Sequence, residues 1–177
     1  MTTFDERDFR DALSHFATGV VVITADVGGS RLGATVSSFN SVSLTPPLVL
    51  FSLVRSAYGL AQWQAAAHYG ISILHENQDA ISNRFARSGA DKWQDIGDMR
   101  MQNGAPLLPS WLAYFECEPY ARYDGGDHEI FVGRVTRFER RAPPTRPLIF
   151  YNGKYRSLNS EEAVTTPPDA NIWLHGW

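Results

Sequence analysis

The chain has 177 residues, a formal net charge of -3 and 44% hydrophobic residues, values that fit a single domain with a full core. So mild an acidity gives no electrostatic reason to expect nucleic acid or an anionic membrane as partner. With Cys117 as the only cysteine, an intrachain disulfide and a cysteine-rich zinc site are excluded, which fits a reducing compartment. No apolar signal core follows Met1, and no apolar run approaches the ~18 residues needed to span a bilayer. The expectation is a soluble, cytoplasmic protein.

The first element reads as a helix. Phe9, Ala12, Leu13 and Phe16 recur at helical spacing, and Thr3 with Glu6 has the form of a capping box. Val20 to Thr24 is β-branched and predicts a strand, with Gly28-Gly29 as the turn to the next. Pro47 to Leu53 reads as a buried strand, followed by Ser56 as N-cap of a short helix that presents Leu60 and Trp63 and ends before Gly70. Strand patterns return at Gly70 to His75, Ala113 to Tyr123, Glu129 to Phe138 and Leu148 to Tyr151, with a helical piece at Ala80 to Phe85. From Asn159 the chain turns polar and Pro-containing before aromatic residues at its end, and reads as a tail beyond a domain of residues 1–158.

Strands dominate this order, and regular strand-helix alternation is missing. Gly28, Gly29 and Gly33 lack the spacing of a dinucleotide fingerprint, so a doubly wound domain is disfavoured. The expected class is mainly β: an antiparallel closed sheet, a β-barrel with peripheral helices, in which closure removes exposed edges. Within it, Thr35, Ser37, Ser41 and Ser43 share a parity and would form a row of hydroxyls along one face of an unbroken strand. Such a row suits a polar, hydrogen-bonding ligand, and equally a Ser-rich turn between two strands.

Five segments in order carry a resemblance: FRDALSHFATGVVVIT from Phe9, GATVSSFNSVSLTPPLVLF from Gly33, ISNRFA from Ile81, FECEPYARYDGGDHEIFVGRV from Phe115 and PLIFYNGKYRSL from Pro147. Together they resemble the flavin reductase-like, FMN-binding split-barrel family, whose members often serve as reductase components of two-component flavin-dependent monooxygenases. The resemblance implies a Greek-key-like, six-stranded split barrel, homodimeric, with flavin near the subunit interface. It also implies hydride transfer from NADH or NADPH to FMN or FAD, and transfer of reduced flavin to a separate oxygenase. The cofactors supply both redox centres, so no residue is assigned an acid-base role.

The same resemblance sets the expected flavin contacts at Thr35, Val36, Ser37, Ser38, Ser41, Val42, Ser43 and Ser52, and at Asn83, Arg84, Phe85 and Ala86. Arg55 and Ser56, at the supposed start of a helix, offer a charge and free N–H groups to the flavin phosphate. His128, in Gly-Asp-His, and the closing Tyr151 and Tyr155 match the nicotinamide side. Trp63, Trp93, Trp111 and Phe39 could shield a flavin ring, or simply fill the core or an interface. The remaining histidines show no paired ligand spacing, so no metal site is expected. Two other readings stay open: a flavin-binding protein without reductase turnover, and an oxidase of the pyridoxamine-phosphate type.

Overall fold

The computed structural model describes residues 5–89, 91–142 and 146–158. Thr3 and the tail from Asn159 lie outside the described residues. Helix α1 (Glu6–Ser14) is capped by Asp5 instead of by the expected Thr3 and Glu6 pair: the Asp5 carboxylate accepts from the N–H groups of Arg7 and Asp8 at 2.8 and 3.1 Å, close to the helix's positive end.

Strands β1 (Thr18–Gly19), β2 (Val21–Val27), β3 (Ser30–Val36), β4 (Asn40–Leu44) and β5 (Pro47–Val54) follow, then α2 (Leu60–Ala65), β6 (Tyr69–Ile73), α3 (Asp79–Ala86), β7 (Ala113–Gly125), β8 (His128–Arg140), β9 (Ile149–Tyr151) and β10 (Lys154–Arg156). Seven strands form one antiparallel sheet in the order β3-β2-β6-β7-β8-β5-β4, and a small sheet of order β1-β9-β10 lies beside it. The mainly β class with helices at the periphery is as the element pattern predicts. One strand exceeds the six that the resemblance implies, because Asn40–Leu44 folds back on β5 as an added edge.

The predicted N-cap at Ser56 is not one. Helix α2 starts after Gly59, whose φ of 75° is a left-handed turn conformation that glycine adopts without steric cost. Trp63 is nevertheless buried, and Leu60 packs against the same core, so the helix presents the face its spacing predicts.

Alternation along β2, β5, β6 and β8 directs Ile23, Phe51, Ile71 and Phe131 into one interior. Phe51 and Phe131 stack with centroids 5.1 Å apart and planes 2° from parallel, and the Tyr69 ring stands edge-on to Phe51 at 5.4 Å. The Tyr69 phenol donates to the Trp63 carbonyl at 3.3 Å; burial pushes its pKa up to about 12.

The sheet curls until β3 approaches β5, but these two strands do not pair. Ser38 fills the seam. Its Oγ donates to the Ser52 carbonyl at 3.2 Å and accepts from the Ser52 N–H at 3.0 Å, one hydroxyl satisfying both backbone groups of a residue that no strand faces there.

The outer side of β3 is approached closely by α3 at Gly33. A Cβ at Gly33 would lie 2.4 Å from two ring carbons of Phe85, which is itself buried and backed by Trp93. Gly33→Ala should therefore cost about 1–3 kcal/mol, the range for an overpacked core. Urea denaturation checks this; an unchanged midpoint would mean that α3 is free to retreat.

Candidate functional site

β3 is an edge strand, and its outward carbonyls are met by side chains instead of by another strand. Lys92 Nζ donates to the Gly33 carbonyl at 2.8 Å and to the Phe85 carbonyl, in the last turn of α3, at 3.0 Å. Trp93 Nε1 donates to the Arg31 carbonyl at 3.1 Å. These bonds hold the α3 end and the segment after it at a fixed stand-off from β3, and a groove of about 740 Å³ opens along the strand.

Thr35, Val36, Ser37, Ser38, Ser52, Leu53, Val54, Trp63 and His128 line the groove. Phe85, Ala86, Arg87, Ser88, Asp91, Lys92 and Trp93, from α3 and the segment after it, line it as well. The first set combines hydroxyls with apolar side chains, and the second adds the cations Arg87 and Lys92 beside Asp91. Lys92 spends two of its three N–H donors on carbonyls, and burial lowers its pKa from the usual lysine value. An anion beside it would favour the charged form and engage the third donor.

Of the expected flavin contacts, Thr35, Val36, Ser37, Ser38, Ser52, Phe85 and Ala86 line this groove. Thr35 Oγ1 donates to the Ser82 carbonyl at 2.7 Å and so ties β3 to α3. The other expected residues lie elsewhere. The unbroken row of hydroxyls does not exist, because β3 stops at Val36 and the chain crosses to the opposite edge of the sheet before β4 begins. Ser41, Val42 and Ser43 therefore belong to the β4–β5 hairpin, where a bulge falls between Ser41 and Ser43 and Ser43 Oγ accepts from Thr45 N–H at 3.2 Å. Arg84 points along its own segment to the Gln94 carbonyl at 2.8 Å, and Asn83 accepts from Tyr155 at 3.3 Å.

Arg55 and Ser56 are outside the groove lining as well, and no helix starts there. The Arg55 guanidinium binds the β7–β8 turn: Nε donates to the Gly126 carbonyl at 2.9 Å, and Nη2 to Asp124 at 2.7 Å. Its N–H donates to the Asp127 carbonyl at 2.8 Å. The guanidinium holds the Asp124 carboxyl below the usual carboxylate range. That turn delivers His128 to the groove, with Nδ1 2.7 Å from the Asp127 carboxylate. Arg55 therefore supports the histidine side of the site.

The closing hairpin β9–β10 is anchored at two points. Asn152 N–H donates to the Ser14 carbonyl at 2.9 Å, beside the 6.4 Å edge contact of Tyr151 with His15. The Tyr155 hydroxyl lies 2.8 Å from Ser82 Oγ, and neither tyrosine lines the groove.

Sequence reasoning missed Lys92, Arg87, Ser88, Tyr58 and Gln62 as lining residues. The detectable signal was Asp91-Lys92-Trp93, a cation and an aromatic a few residues past the end of α3. Trp93 and Trp63 do line the groove wall, whereas Trp111 packs on Tyr114 and Phe39 on Phe115.

Because Ser82 is fully buried, Tyr155→Phe should lower stability by about 1–3 kcal/mol, the cost of leaving a buried polar group without its partner. Urea denaturation measures this, and an unshifted midpoint would show that the phenol does not hold α3.

Residues 13–159 match the family described as flavin reductase like domain. The chain is 42% identical over 151 residues to FMN reductase (NADH) SmoA of Agrobacterium fabrum, covering 85% of each chain. Among solved structures, it is similar to nitrilotriacetate monooxygenase component B from Mycobacterium thermoresistibile, with a TM-score of 0.87, 34% identity and 92% of each chain covered. It is also similar to the Streptomyces globisporus NADH:FAD oxidoreductase SgcE6 in complex with NAD and FAD fragments, with a TM-score of 0.84 and 30% identity over 92% of this chain and 100% of that one. A groove along an open strand edge, lined by hydroxyls, a histidine and the cations Arg87 and Lys92, thus sits in a chain that belongs to the flavin reductase like domain family.

Proposed function

We propose that this chain is an NAD(P)H-dependent flavin reductase that binds FMN or FAD in the β3 groove and passes reduced flavin to a separate monooxygenase. The observation that carries this reading is a groove along one strand edge whose lining joins hydroxyls and apolar side chains with the cations Lys92 and Arg87. The donor set fits a flavin: apolar wall for the ring, Ser37, Ser38, Ser52 and Thr35 for its polar rim and ribityl chain, and Lys92 and Arg87 for phosphate. When bound, the flavin accepts a hydride at N5 from C4 of the reduced nicotinamide.

The residues supply position and field. Donors in the Thr35 to Ser38 segment that face the ring's carbonyl side would stabilise negative charge developing there. His128 lines the groove, held against Asp127, where it can orient an incoming nicotinamide nucleotide. Arg55 fixes the turn that carries it.

The same reading takes the active form as a homodimer. Leu13 and Phe16 are 58% and 78% exposed and Leu44 is 68% exposed, more apolar surface than α1 and β4 would leave in water as a monomer. A cytoplasmic location is supported by the lone Cys117, which allows no intrachain disulfide. Among the described residues, no helix is long and apolar enough to cross a membrane.

Purified protein should oxidise NADH or NADPH only when FMN or FAD is present, followed as loss of the reduced nicotinamide absorbance. Flavin binding without turnover would favour a binding protein instead. Lys92→Ala should weaken flavin binding by about 1.5–3 kcal/mol, the range for a hydrogen bond to a charged group, as read by fluorescence titration of the apoprotein; an unaltered Kd would remove Lys92 from the phosphate site.

His128→Ala and Arg55→Ala should both raise the KM for the nicotinamide nucleotide while changing flavin affinity little. Stopped-flow reduction of the flavin-loaded protein separates the two effects. A loss of flavin affinity in Arg55→Ala, with nicotinamide dependence unchanged, would return Arg55 to the flavin phosphate.

A further inference from the structure

Resting on the reading of the β3 groove as a flavin site, we propose that the groove is built for the dinucleotide flavin, and that a shelf formed by Arg31 and Trp93 binds the adenosine half of FAD.

The groove does not end at Lys92. Arg31 and Trp93 line both the groove and a second depression, whose other walls are Gly29, Gly97, Asp98 and Arg100. The two hollows therefore share these side chains as walls. Lys92 meets β3 at the Gly33 carbonyl and Trp93 meets it at the Arg31 carbonyl, two residues further along an extended strand, or about 7 Å. A flavin that places its ring by Ser38 and its first phosphate by Lys92 points its phosphate end at this shelf. A mononucleotide stops short of it.

The shelf has the chemistry of a base site. The Arg31 guanidinium lies over the Trp93 ring, 5.0 Å from its centroid. It is held there by a 2.7 Å bond from Nη1 to the Gly97 carbonyl, with Asp98 at 3.6 Å. The Arg31 side chain remains 27% exposed, and a planar, fixed guanidinium is a stacking surface for a nucleobase. Trp93 is in turn held edge-on by Phe85, at 4.9 Å, so the stack is assembled before any ligand arrives.

Charge at the shelf argues for a nucleoside and against a second anion. Arg100 pairs with Asp26 at 2.6 Å and with Asp98 at 2.9 Å, and Asp98 also faces Arg31. Two guanidinium groups and two carboxylates compensate one another, leaving no net charge to attract phosphate. The Asp98 carboxylate, 69% exposed, is an acceptor for ribose or adenine N–H and O–H groups.

The experiment is a pair of Kd values, for FAD and for FMN, measured by quenching of flavin fluorescence on the apoprotein. Wild-type protein should bind FAD more tightly than FMN by roughly fivefold to a hundredfold, the range for one base stacked on a protein side chain. Arg31→Ala should abolish this preference by weakening FAD alone, and Arg31→Lys should do the same because it keeps the charge but loses the plane. The retained FMN affinity of each variant reports that the groove is folded.

Equal affinities in the wild-type protein would overturn the proposal, as would equal losses for both flavins in the variants. Failure of wild-type protein to bind either flavin would instead overturn the reading of the groove on which the proposal rests.

Discussion

Everything at the site depends on a seam that backbone hydrogen bonds do not close. β3 and β5 come together where the sheet curls round, yet the chain between β3 and β4 must cross that same seam, so the two strands cannot pair. An unpaired edge in a folded protein has to be satisfied or covered. Ser38 satisfies Ser52, while Lys92 and Trp93 satisfy Gly33 and Arg31. The groove is the space these side chains keep open, so its lining is a direct result of how the edge is protected.

The packing of α3 follows from the same constraint. The absence of a Cβ at Gly33 lets Phe85 of α3 approach the strand closely. Thr35 fastens the neighbouring turn through the Ser82 carbonyl, and Tyr155 fastens Ser82 from the other side. The closing hairpin therefore stabilises the groove through α3. Its match to the nicotinamide side rests on the resemblance alone, since neither Tyr151 nor Tyr155 lines the groove.

Local signals in the sequence were sufficient for most of the elements, because β-branched runs and glycine turns act over a few residues. Val20 to Thr24, Pro47 to Leu53 and the α3 pattern read correctly for that reason. Errors arose where a tertiary choice overrode a local one. Ser56 is a good cap by type, but Gly59 offers the left-handed turn that α2 needs, and Asp5 caps α1 with a charge at the helix end. The hydroxyl row failed because parity holds only within one strand, and Ser41 and Ser43 sit on another. Arg55 illustrates a further limit: a cation next to a supposed helix start resembles a phosphate ligand until the partner turn, some seventy residues on, is seen to take it. Lys92 escaped notice for the opposite reason, since its one cue, Asp91 and Trp93 beside it, lies in a loop with no periodicity to place it.

Because the edge is held by side chains of the protein itself, the groove has its shape without a ligand, and little ordering has to accompany capture. Under the proposed reading, a cofactor there would lie along a strand edge that no backbone pairing closes. Its residence time would be set by a handful of polar contacts at the rim, and dissociation is the rate that single substitutions there would retune. Such a site would suit a flavin that is exchanged at each turnover, as a shuttled substrate, better than one retained as a prosthetic group.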